Sequence, residues 1–171
     1  LVERPDGEAK LGQPMINLSL IQNWGVLDLY VLTGFRTRTF PGADGRLRTP
    51  LLVDTDQVIY SEQKWKRHLG GAARWSHTLD MFDFGLSHFY GTSRDPRFVQ
   101  SGTVLVPQYY TIHQTGLDVQ ATNGGWLWKF ETIRRSGNGT SYTAATGGFE
   151  YTLSNLRNTG VDVGLVVEYL Y

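Results

Sequence analysis

The stretch GGWLWKFETIRRSGNG, residues 124–139, alternates apolar with charged side chains: Trp126, Trp128 and Phe130 take one parity, Lys129 and Glu131 the other. A β-strand sends successive side chains to opposite faces. This segment therefore has one aromatic face and one charged face. In a water-soluble protein the aromatic face is the core. In a membrane barrel it looks at lipid, and the charges look into a wet lumen. The rest of the chain has to decide between the two.

The chain has 171 residues, enough for one domain with a sizeable core. Its 16 basic and 16 acidic residues cancel, which argues against a general nucleic-acid binder. The absence of Cys excludes disulfides and thiolate metal sites. The 20 Gly, 5 Trp, 9 Tyr and 8 Phe make a β-rich composition, with aromatics for strands and glycines for turns. The opening LVERPDGEAK is charged and has no apolar segment of the signal-peptide kind. It also lacks an initial Met, so a processed chain or a piece of a longer one is expected. No run of about 18 apolar residues exists, which excludes a transmembrane helix but not a strand barrel.

Helical periodicity is weak throughout, whereas period-two segments are plentiful. Eight are read, at 13–24, 25–35, 68–79, 81–91, 108–122, 124–139, 141–153 and 160–171. In the first, Ile16, Leu18 and Leu20 oppose Asn17 and Ser19. In the second, Leu27, Leu29, Val31 and Phe35 oppose Asp28 and Tyr30. The third sets Leu69, Ala73 and Trp75 against His68, Arg74 and Ser76; the fourth sets Phe82, Phe84, Leu86 and Tyr90 against Asp83 and Ser87. The fifth sets Leu117, Val119 and Ala121 against Gln114, Asp118 and Gln120. The seventh has Ala145, Phe149, Tyr151 and Leu153 against Thr146 and Glu150, and the eighth Val161, Val163, Leu165, Val167, Tyr169 and Tyr171 against Asp162 and Glu168. Asn23-Trp24-Gly25 and Asn123-Gly124-Gly125 supply tight hairpin turns.

Eight strands in four hairpins predict an all-β fold: a single domain over 1–171, built as an antiparallel up-and-down transmembrane β-barrel of about eight strands. Segments near ten residues suit a tilted crossing of the bilayer, which takes about 9–11, better than the globular mean of about 5–6. Connections within the hairpins are short. Those between them are long at 36–67, read as a long outer loop, and at 92–107, with 136–140 a short exception. Outer-membrane barrels show this asymmetry. By that rule both ends of the chain lie on the outer side, so the segment is expected to be an interior slice of a larger barrel.

The aromatic positions fall into two bands. Trp24, Phe82, Phe84, Trp126, Trp128, Phe149 and Tyr151 lie toward the short turns, and Phe35, Tyr90, Tyr109, Tyr169 and Tyr171 toward the long loops. Leu20, Leu29, Leu86, Leu117, Val163 and Leu165 lie between. Two aromatic girdles around an aliphatic belt mark a membrane barrel. The opposite parity carries Asp28, Arg74, Asp83, Asp118, Lys129, Glu131, Glu150, Asp162 and Glu168, expected to face the lumen and to pair across strands. His77, His88 and His113 fall on the lipid parity and fit it poorly.

With these features, RWSHTLDMFDFGLSHFYGTSRDP (74–96) and QTGLDVQATNGGWLWKFETIRR (114–135) resemble paired strands of bacterial outer-membrane β-barrel proteins of the porin type. The resemblance is one of architecture over nearly the whole chain. It implies the bacterial outer membrane and a role as pore, transporter or scaffold, and gives no substrate. The lipid bilayer and small polar solutes are the expected partners, and no cofactor is implied. The alternative is a soluble eight-stranded β-barrel that binds a ligand, with the faces exchanged; so many Trp, Phe and Tyr crowd a small interior.

Few motifs carry chemistry. Arg36, Arg38, Arg46 and Arg48 form a basic cluster suited to lipopolysaccharide phosphates or to a pore mouth, and equally to a solvated loop. Asp54 and Asp56 offer two oxygen ligands, too few for a Ca²⁺ site. Asn138-Gly139-Thr140 matches a glycosylation sequon but reads better as a turn. Ser76 with His77, and Ser87 with His88, are strand neighbours pointing to opposite faces, so neither forms a nucleophile–base pair and no enzyme is expected.

Overall fold

Hairpins arise where the alternating segments meet their turn residues. The computed structural model describes residues 12–61, 69–137 and 140–171. In chain order the strands are β1 (Met15–Gln22), β2 (Gly25–Leu32), β3 (Leu52–Val53), β4 (Ile59–Tyr60), β5 (Gly70–Leu79), β6 (Phe82–Thr92), β7 (Arg97–Ser101), β8 (Val104–Tyr109), β9 (Thr111–Asn123), β10 (Trp126–Gly137), β11 (Thr140–Leu153) and β12 (Val163–Leu170). Asp80 and Gly124 take positive φ in their hairpin turns (54° and 57°), the conformation that Asp and Gly tolerate best there. The opening residues 1–11, His68, the 62–67 part of the expected outer loop and the Asn138-Gly139 sequon lie outside the described residues.

The main sheet is an antiparallel meander in the order β1-β2-β5-β6-β9-β10-β11-β12. Within the strands its registers keep the expected parity, so one largely apolar face extends across the sheet. The rung Leu20–Leu27 continues through Trp75, Leu86, Leu117, Thr132 and Ala145. That rung stands one step from the Gln22–Gly25 turn, two from Leu79–Phe82, three from Asn123–Trp126 and four from Leu153–Val163. Each hairpin is therefore displaced by one two-residue step from the last. With about 6.8 Å per step and about 9.6 Å per hairpin, the line of turns runs about 35° from the hydrogen-bond rows.

The eight strands do not close into the expected barrel. Strand β1 pairs only with β2, and β12 only with β11, which leaves an open sheet with two free edges. Alternation fixes which face a side chain takes, but says nothing of how far a sheet coils. A second, smaller sheet was not expected. In it β8 pairs in parallel with β3 and β4 along one edge and antiparallel with β7 on the other. It is built from the two long connections, and β8 runs almost directly into β9.

The few buried side chains lie mainly where this small sheet meets the long-loop end of the polar face: Leu32, Val106, Tyr109 and Ile112. Tyr109 is 1% exposed. Its ring packs edge-on against Phe35 at 4.9 Å and stacks on Tyr60 at 6.0 Å, and its hydroxyl accepts the Arg38 backbone N–H at 2.9 Å. Phe35 and Tyr109 thus leave the expected outer aromatic band: each sits in a connection or in the second sheet, past the point where strand parity holds.

Candidate functional site

The site is the two faces of the main sheet. Strand parity puts Asp28, Arg74, Asp83, Asp118, Lys129, Glu131, Glu150 and Glu168 on one face, as expected. Asp162 is the exception: it precedes β12 and accepts the Asn155 N–H at 2.8 Å within the last turn. On the polar face the charges bridge neighbouring strands. Arg74 grips Asp118 with two hydrogen bonds of 2.8 and 2.9 Å. The bridge spans from β5 to β9 over β6, and it crosses at Gly85, where a Cβ would run into both the guanidinium and the carboxylate. Lys129 Nζ donates to Glu150 at 2.6 Å, and Glu131 and Glu168 line the same shallow recess. Thr78 donates to Asp83 at 2.6 Å, and the Ser19 hydroxyl donates to Asp28.

At the long-loop end the small sheet is tied to this polar face. Arg135 donates to Gln114 at 2.7 Å and lies 3.9 Å from Asp95, which also holds Arg38 at 2.9 Å. Asp95 therefore joins two loops and a strand, a role its Arg-Asp-Pro-Arg setting did not disclose. Of the basic loop cluster, Arg38 is engaged in this way, whereas Arg36, Arg46 and Arg48 are exposed. Arg94 stacks over the Phe35 ring at 5.6 Å, and burial lowers its pKa. Burial also raises the hydroxyl pKa of Tyr60 and Tyr109. Asp54 accepts from Asp56 N–H and from Gln57, which makes it a loop cap. Ser76 and His77 occupy opposite faces.

The other face is apolar and uncovered by any described residue. Leu18 is 54% exposed, Leu86 47%, Trp128 49% and Leu165 53%. Toward the short turns, Trp126, Trp128, Phe149 and Tyr151 form one aromatic patch with ring separations of 4.3–5.4 Å, and Phe82 stacks on Phe84 at 5.9 Å. Trp24 sits in the first turn, where its carbonyl accepts the Trp75 indole N–H at 3.0 Å. Tyr90 lies toward the loops beside His113 (4.8 Å), and Tyr169 is exposed on β12.

The apolar band is oblique to the rungs. The rung Leu18–Leu29 is aliphatic on β1 and β2 but continues as Ala73, His88, Thr115, Arg134 and Thr143. At β10 and β11 the band has moved down to Trp126, Trp128, Phe130 and to Phe149, Tyr151, Leu153. It follows the line of turns. This slant accounts for His88 and His113, which stand where the band leaves their rungs. Single-strand parity carries no such information. Comparison with models of known families, with characterised proteins and with solved structures finds no match to this chain.

Proposed function

We propose that the chain forms wall of a porin-like outer-membrane β-barrel, with its apolar face toward lipid and its polar face toward an aqueous lumen, acting as a passive channel or a scaffold. The observation that carries this reading is the slanted, uncovered apolar band. In a membrane the turns share one depth, so a line of turns about 35° off the hydrogen-bond rows means strands tilted about 35° from the bilayer normal, at the lower end of the range for outer-membrane barrels. A soluble sheet has no reason to align its apolar band with its turns while leaving that band bare. The polar face supports the same reading, because charges are bridged across its strands and Gly85 lets the Arg74–Asp118 bridge lie flat over β6. In hydrocarbon an open edge is untenable, so the reading requires further strands to pair with β1 and β12.

The test is solubility combined with depth. The chain is expected to stay monodisperse only with detergent or lipid. Brominated acyl chains should quench its tryptophan fluorescence, with the quenching falling when Trp126 and Trp128 are replaced by phenylalanine. A monodisperse, unquenched chain in plain buffer would overturn the membrane reading and make the aromatic face a core or a soluble ligand surface.

A further inference from the structure

The apolar face of the main sheet carries no Asp or Glu at any described strand position, and its one fixed charge is Arg134. Arg134 is exposed and makes no hydrogen bond or ion pair with a described residue, whereas Arg38, Arg74, Lys129 and Arg135 each have a carboxylate. Its surroundings are polar where the rest of that face is not. Thr115 and Thr143 flank it on the same rung, and beyond Thr115 comes His88, whose Nδ1 lies 2.9 Å from the Thr115 hydroxyl. The His113 ring is 5.9 Å from that of His88. On β10 the patch begins two rungs beyond Phe130, on the long-loop side of the apolar band.

A guanidinium without a carboxylate, flanked by two threonines, with two imidazoles further along the same patch, and continuous with a lipid-like band, is complementary to a phosphate carried at the end of acyl chains. We propose that Arg134, with Thr115 and Thr143 beside it, binds the phosphate of an anionic lipid headgroup at the long-loop rim. This rests on the membrane reading above. A lone arginine near a charged surface contributes about a fivefold preference for anionic lipid.

The test uses the full chain in micelles containing phosphatidylglycerol or phosphatidylcholine, with retained lipid counted by native mass spectrometry. Phosphatidylglycerol should be retained about fivefold better, and Arg134→Gln should abolish the preference while Arg46→Gln leaves it unchanged. Equal retention of the two lipids, or a preference that survives Arg134→Gln, would overturn the proposal. So would competition by millimolar inorganic phosphate, which would make the ligand a free anion. Bromine quenching of tryptophan is read in parallel. Quenching without lipid preference sinks only this inference, whereas loss of quenching sinks the membrane reading beneath it.

Discussion

Gly85 shows how a single missing side chain organises the polar face. Arg74 and Asp118 sit on strands that are not neighbours, and the guanidinium reaches the carboxylate only because β6 presents no Cβ between them. Two opposing effects follow for Gly85→Ala. A β-strand gains about 0.5–1 kcal/mol when Ala replaces Gly, while displacing a half-exposed ion pair costs less than about 1 kcal/mol. The single variant should therefore change stability little. In an Arg74→Ala background there is no ion pair to lose and the released Asp118 carboxylate is free to swing aside, so alanine at 85 should stabilise by about 0.5 kcal/mol or more. Urea midpoints of refolding into detergent would measure both. The same shift in the two backgrounds would mean that Gly85 has no part in the bridge. The charged residues within strands were legible from parity alone, since a period of two fixes the face, whereas Asp162 falls before β12, where parity no longer holds. Gly85 as a crossing point was not, because the partner across β6 is set by register, which alternation in one strand does not contain.

The strands of the main sheet were legible because each holds its alternation over 8–14 residues, long enough for parity to outweigh local exceptions. The small sheet was not. Strands β3 and β4 have two residues each, and β8, VLVPQY, contains Pro107 and merges into β9 without a turn signal. Its centre is the Tyr109–Tyr60–Phe35 cluster, and burial raises both tyrosine hydroxyls above their ordinary value. The sign follows directly. The folded state keeps these protons where the unfolded state loses them, so their contribution is intact below about pH 10. It fades as pH rises through the folded values. Alkaline titration by tyrosinate absorbance should show a late-ionising group, from which Tyr109→Phe removes one member. Proteolysis of the 94–103 connection should accelerate over the same interval, and by a smaller step in Tyr109→Phe. A variant whose late group is undiminished would place Tyr109 in water.

At the scale of the whole molecule, zero net charge hides a separation. The polar face of the main sheet carries six carboxylates (Asp28, Asp83, Asp118, Glu131, Glu150, Glu168) against three cations (Arg74, Lys129, Arg135), a surplus of three negative charges. The compensating positive charge lies elsewhere: among the described residues the two long connections carry six arginines (Arg36, Arg38, Arg46, Arg48, Arg94, Arg97) against four aspartates (Asp44, Asp54, Asp56, Asp95), a net of two, and Arg134 on the other face adds a third. If the polar face lines a conduit, its walls are acidic and its loop-side mouth basic. Fixed wall charge acts over the narrow part of a path, where screening is weakest, whereas exposed loop charges are screened within about 8–10 Å. The walls should therefore set the sign. In planar bilayers holding the closed barrel of which this chain forms part of the wall, a KCl gradient should give a reversal potential with a several-fold preference for K⁺. Glu131 and Glu168 are the residues to change, because neither closes an ion pair with a described partner, and neutralising them breaks no bridge. Glu131→Gln with Glu168→Gln should bring the preference most of the way to neutral, while Arg46→Gln with Arg48→Gln leaves its sign unchanged. Anion preference in the parent chain, or a sign governed by the loop arginines, would show that ions pass the mouth without meeting these walls. Insertion without conductance would leave the scaffold role, with the small sheet, tied by Asp95 to Arg135, as the obstruction.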